Sequence, residues 1–175
     1  MTASTFNITE EDGRIARLAA LAIIIHIAES ALPSPLPGIK PGLANIITLL
    51  VLFDYGLRTA AWVSLLRVLV GSLLLGTFLS PTFLLSLAGA LASLLALAIG
   101  RTIPGIGPVG LAVLAALAHM AGQLVMAWWV FLPHPALWKL SPVFMGMALV
   151  FGIVSGIIAH AVMQQLNLNS ESDMP

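Results

Sequence analysis

Charge and cysteine are what this chain has least of. Asp, Glu, Lys and Arg make up 8% of its 175 residues, whereas a soluble domain carries about a quarter. So few charges cannot coat a water-facing surface, which excludes an ordinary water-soluble domain. Cysteine is absent, and with it go disulfides, thiolate metal sites and cysteine nucleophiles. The seven basic and seven acidic residues cancel, leaving no electrostatic footprint for a nucleic acid. Also missing are a paired aspartate-rich motif for Mg-diphosphate, a P-loop, a Gly-x-Ser-x-Gly elbow and a haem-attachment motif. The few histidines are scattered without a metal-ligand spacing. No catalytic residue, metal or cofactor is expected, and the chain reads as a non-enzyme.

What is present is oil-loving. Hydrophobic residues reach 59%, and they fall in blocks near the length that crosses a hydrocarbon core, about 20 residues, except the second, Leu43–Phe53, which is short for a full span. The expected fold class is all-α: a polytopic membrane protein, one compact bundle of six transmembrane helices. The blocks predict helices over Ile15–Leu32, Leu43–Phe53, Thr59–Leu75, Pro81–Gly100, Val109–Phe131 and Pro142–Met163. Between them lie the proline-rich stretch Pro33–Gly42, the polar turns Asp54–Arg58 and Arg101–Pro108, and the loop Leu132–Ser141. Residues 1–14 form a polar N-terminal segment, 15–163 the single bundle and 164–175 a flexible tail. The polar start lacks the pattern of a cleaved secretory signal, so the first helix is expected to be retained.

Six crossings place both termini on one side. Arg14, Arg17, Arg58 and Arg101 fall on that side, against Lys40 and Lys139 on the other, which predicts cytoplasmic termini. Trp128, Trp129 and Trp138 cluster as an interfacial belt would. Small residues are dense at Ala88, Gly89, Ala92, Gly152 and Gly156, as close helix packing in lipid requires.

Ionisable groups within apolar helices are costly and face a partner or a cavity. Glu29 and Arg67 are two such groups. Together they form either an ion pair that fixes two helices or part of a ligand site. His119 and Gln123 are one helical turn apart, as are His26 and Glu29, so each pair shares a face. Such faces either line a pocket or bond between helices. The stiff segment after the first helix, with Lys40 and Asn45 as donors, is placed to cap a pocket. Ala16 and Ala20 form a small-residue patch that docks another helix or packs within the bundle.

Several of these stretches carry a family resemblance. Glu29-Ser30, the run Pro35-Leu36-Pro37-Gly38-Ile39-Lys40-Pro41-Gly42-Leu43-Ala44-Asn45, Arg67, the block Gly71 to Gly89 and His119-Met120-Ala121-Gly122-Gln123 resemble the Gx transporter family. Its members are often labelled heptaprenyl diphosphate synthase component I. The resemblance covers roughly residues 14–163, with Pro41 a departure from the expected small or apolar residue. It implies a relative of the substrate-binding S-components of energy-coupling factor (ECF) transporters, resident in a bacterial cytoplasmic membrane. Such a protein binds a vitamin, flavin, quinone or isoprenoid precursor beneath the loop after its first helix. It presents Ala16 and Ala20 to a membrane coupling subunit and its ATPase. The site residues so implied are Glu29, Lys40, Asn45, Arg67, His119 and Gln123. The alternatives are an accessory subunit of isoprenoid or quinone synthesis and a component of a flavin-based extracellular electron-transfer assembly.

Overall fold

The computed structural model describes residues 9–31, 43–131 and 133–172. These residues build helices throughout: α1 (Glu10–Ala31), α2 (Leu43–Leu74), α3 (Pro81–Gly100), α4 (Pro108–Met126) continuing into a π-helical turn (Ala127–Phe131), and α5 (Ala136–Ser172). Among the described residues, α2, α3, α4 with its π turn, and α5 are long and apolar enough to cross a membrane. The chain is therefore an integral membrane protein; these four candidate spans, found among the described residues, count α2 once although it joins two of the helices expected. The proline-rich stretch expected over Pro33–Gly42 lies outside the described residues.

Two of the expected boundaries shift for local reasons. α1 begins at Glu10, five residues before the expected Ile15, because Thr9 and Asp12 cap it reciprocally. The Asp12 amide donates to Thr9 Oγ1 at 3.2 Å, and the Thr9 amide donates to Asp12 Oδ2 at 3.0 Å. The Thr9 hydroxyl adds a bond to the same carboxylate at 2.7 Å. These bonds from Thr9 hold the exposed Asp12 carboxyl below its ordinary value of 3.8. The extension gives α1 a polar start, with Glu10, Glu11, Asp12 and Arg14 ahead of its apolar run.

The second cause is Gly56. The helices expected over Leu43–Phe53 and Thr59–Leu75 are joined as α2, interrupted at Gly56 with φ 82° and ψ 176°. That region of conformational space is essentially glycine's alone. The break reverses the chain. Arg67 Nη1 donates to Asn45 Oδ1 at 3.1 Å across 22 residues, a separation that spans about 33 Å in an unbroken helix. Gly56 lies midway, so the two halves of α2 lie side by side. The guanidinium of Arg14 stacks 5.0 Å from the centre of the Tyr55 ring, which anchors the start of α1 at this bend.

α3 keeps the limits expected from sequence. Ser80 Oγ accepts the Phe83 amide at 3.4 Å, and Pro81 occupies the first turn, where its missing N–H costs nothing. α5 departs from expectation at both ends. It begins at Ala136 inside the expected loop, and it runs to Ser172 through the expected flexible tail. Pro142 was expected in a first turn but lies inside the helix. A proline there leaves the carbonyl four residues earlier without its amide. That carbonyl belongs to Trp138, and the Ser141 hydroxyl donates to it at 2.8 Å. The side chain thus supplies the bond that the backbone cannot.

Glycines let the later helices approach. A methyl group added at Gly156 would lie 2.7 Å from Val109 Cα, and one at Gly152 would lie 2.9 Å from Val113 Cα. α4 and α5 are therefore antiparallel with backbones in contact. Similarly, Gly122 faces the Ala88 carbonyl of α3, where a methyl would sit 2.7 Å from the oxygen. The buried core joins Ala22, Leu49, Val63, Leu97, Leu111 and Ala159 from α1 to α5. Around it, Ile24, Leu74, Leu95 and Trp129 are largely exposed, as lipid-facing side chains are. Trp128 and Trp138 stack at 6.1 Å between ring centres, which places the end of α4 beside the start of α5.

Candidate functional site

The polar side chains of the bundle gather where α1 ends, α2 ends and α3 begins. Two pairs lie within the helices. Arg67 is buried, and its guanidinium is held by the Asn45 amide. His119 and Gln123 pair at 3.1 Å between their Nε2 atoms. With the Gln123 amide as donor, His119 Nε2 accepts and the ring proton sits on Nδ1, which is buried without a hydrogen-bond partner among the described residues. The His119 ring lies against Gly89, where a methyl would meet it at 2.7 Å.

One turn nearer the helix ends, the bundle is hollow. A cavity of about 190 Å³ is walled by His26 and Ser30 of α1, Ser72 of α2, Thr77 of the connection, and Thr82 and Ser86 of α3. Val68 and Phe83 give it an apolar side, and Phe83 packs at 5.0 Å between ring centres on Phe78. Among the described residues no Asp, Glu, Lys or Arg lines this space. The His26 ring reaches it by resting on Gly71, where a methyl would lie 3.1 Å from Cδ2. Both interior histidines therefore seat on a glycine at an end of the block Gly71 to Gly89.

A hydroxyl-lined hollow in a lipid-embedded bundle can hold and orient a polar solute, because in hydrocarbon its groups have no water to turn to. The larger furrow of about 480 Å³ between α3 and α4 is different. Its walls include Ala88, Ala92, Ala118 and Gly122, which offer nothing to orient a polar molecule.

The expected site residues thus divide. Asn45 joins Arg67, and His119 joins Gln123, but none of these lines the cavity. Glu29 lies on α1 with its side chain outside the described set, and Lys40 lies outside the described residues. Ala16 and Ala20 are exposed on α1, one turn apart, with Ile24 continuing the same face. Sequence reasoning missed the hydroxyl wall. Its signal was the recurrence of Ser72, Thr77, Thr82 and Ser86 around the Ser80-Pro81 helix start, where a purely lipid-facing turn needs no such series. Among the described residues no three His, Asp or Glu side chains gather as metal ligands would.

The model of the family described as heptaprenyl diphosphate synthase component I matches residues 18–162. No curated protein matches the sequence. Among solved structures, the S component of a bacterial ECF transporter superposes with a TM-score of 0.70 at 15% identity, covering 90% of this chain and 95% of that one. The fold is therefore S-component-like.

Proposed function

The chain belongs to the heptaprenyl diphosphate synthase component I family, and on that footing we propose that it is a non-enzymatic membrane subunit that captures a small organic solute for transport. The observation that carries this reading is the partly open, hydroxyl-bearing cavity at one end of a bundle whose surface is otherwise suited to lipid. The S-component-like fold supports it. The transverse layer of Arg67, Asn45, His119 and Gln123 sets the depth of the cavity and holds its walls, and Glu29 and Lys40 stay candidate ligand residues by the sequence alone. The two halves of α2 count as separate helices in this reading, and with α1 they give six crossings. Both termini then face the cytoplasm. The exposed Ala16, Ala20 and Ile24 face is the surface that meets a membrane coupling subunit. The prenyl-synthase description fits at most a non-catalytic partner, because the chain has no aspartate-rich diphosphate motif.

Mass spectrometry of solute released from the purified, denatured protein tests the proposal. A stoichiometric small molecule is expected from the wild type and not from the Ser72→Ala, Ser86→Ala double variant. No retained molecule in either, together with unchanged cellular uptake on deletion of the protein, would overturn it.

A further inference from the structure

The start of α1 carries a charge pattern that the cavity does not use. Glu10, Gly13, Arg14 and Arg17 recur at helical spacing, so they share one face of the helix. A hollow of about 610 Å³ lies along that face, with these four residues on its wall. Gly13 helps to keep it open, because a methyl group there would meet nothing within 4 Å. Glycine weakens a helix interior, and what it provides here is that gap.

The charges of this face do not neutralise one another. A glutamate four residues before an arginine is well placed to pair with it, yet no ion pair joins Glu10 to Arg14 or Arg17 among the described residues. Arg14 turns instead onto Tyr55, with its guanidinium 5.0 Å from the ring centre. Such stacking occupies the flat side of a guanidinium and leaves its in-plane N–H groups able to donate. Glu10 and Arg17 are exposed. The neighbouring acids Glu11 and Asp12 stand on other faces of the helix. Asp12 accepts from Thr9 and lies in the field of Arg58. Residues 1–8 contain no Asp, Glu, Lys or Arg.

Depth gives the pattern its meaning. α3 has 20 residues and so spans about 30 Å, the thickness of the hydrocarbon core. It starts just after α2 ends, so its far end at Gly100 and the bend at Gly56 mark the same edge of that core. Arg14 sits at this bend. From the arginines, α1 runs inward along the exposed Ala20 and Ile24, and outward by about one to two turns to Glu10. One face thus presents, from water to oil, a carboxylate, a gap, two guanidiniums and an apolar track. A phospholipid with an ethanolamine headgroup presents the complement in the same order: an ammonium, a short link, a phosphate and acyl chains. A glycerol headgroup has no cation for Glu10, and the quaternary nitrogen of choline has no N–H to donate. Free phosphate has nothing to lay along the apolar track.

We propose that this face of α1 is a seat for phosphatidylethanolamine. The N–H groups of Arg14 and Arg17 donate to the phosphate oxygens, the ammonium donates to the Glu10 carboxylate, and an acyl chain lies along Ala20 and Ile24. The seat is independent of the solute reading. In the chain by itself, the lipid covers the face assigned above to a coupling subunit.

Native mass spectrometry tests this on the full chain, released from nanodiscs with equal parts of phosphatidylethanolamine, phosphatidylcholine and phosphatidylglycerol of the same acyl chains. The wild type is expected to retain phosphatidylethanolamine about threefold to fivefold over either competitor, the scale of one exposed ion pair. Glu10→Gln should erase the preference over phosphatidylcholine, and Arg17→Gln should lower retention of all three lipids about threefold. Gly13→Leu fills the hollow with a better helix former, so it should lower phosphatidylethanolamine retention without lowering thermal stability. Equal retention of the three lipids, a preference for phosphatidylglycerol, retention of no lipid, a co-purified protein subunit in place of lipid, or a preference that survives both Glu10→Gln and Gly13→Leu would each overturn the proposal. Solute released from the same samples keeps the two readings apart, since its retention leaves the proposed function standing whichever lipid result is found.

Discussion

Arg67 shows how one residue can organise a lipid-embedded interior. A guanidinium near a helix centre costs about 2.5–3.5 kcal/mol on insertion scales, and here the Asn45 carbonyl oxygen receives it at 3.1 Å. Replacing Asn45 by Leu removes a charge-assisted hydrogen bond worth about 1.5–3 kcal/mol. Denaturant titration in detergent should show that loss, and the Asn45→Leu, Arg67→Met double variant should recover part of it. Strict additivity of the two losses would contradict the pairing. The histidine seats make a second prediction at this scale. Gly89→Ala places a methyl 2.7 Å from the His119 ring and should lower thermal stability by about 1–3 kcal/mol. His119→Ala in the same chain should relieve most of that strain. The corresponding change at Gly71 meets the His26 ring at 3.1 Å and should be milder.

At the scale of elements, sequence reasoning worked where a signal is local and failed where it is conditional. α3 was legible because Ser80 caps, Pro81 starts and Gly100 ends an unbroken apolar block. The polar run around Gly56 was read as a turn between two helices, and two helices do meet there, although helical bonding runs up to either side of one glycine break. Only the distant contact between Asn45 and Arg67 reveals that the chain reverses there. Pro142 misled for a different reason. Proline usually opens helices, and here Ser141 bonds the orphaned Trp138 carbonyl, a substitution that residue type alone does not announce. Gly56→Ala forces an L residue into glycine's region at a cost of about 1–3 kcal/mol. The thermal midpoint should fall accordingly, and an unchanged midpoint would contradict a strained bend. The α1 cap gives a pH dependence. Because folding lowers the Asp12 pKa from 3.8, its contribution is complete above that value. It is lost as pH falls through the lower folded value. Hydrogen exchange at the start of α1 should accelerate on acidification below about pH 4, and Thr9→Val should bring fast exchange at neutral pH.

For the whole molecule, composition dictated a membrane bundle before any contact was known, and the residues at Arg67 and His119 pointed toward its interior. The site itself was only half legible. The eye goes to charges, of which Arg67 bonds Asn45 across the bend, while the cavity is walled by hydroxyls that come together only where three helix ends meet. Gly71 and Gly89 seat the rings of His26 and His119, while Gly122, Gly152 and Gly156 bring the backbones of α3, α4 and α5 together. The central claim is that water and solute reach this polar hollow inside a lipid-facing protein. The absence of native cysteine makes it directly measurable. Single substitutions Ser86→Cys, on the cavity wall, and Leu95→Cys, on the exposed apolar face of the same helix, can be exposed to a small, water-soluble thiol reagent in oriented vesicles. The account predicts rapid modification of the first, from the side where α3 begins, and little of the second. Equal reactivity at the two positions, or a cavity cysteine that stays unmodified from both sides, would contradict it.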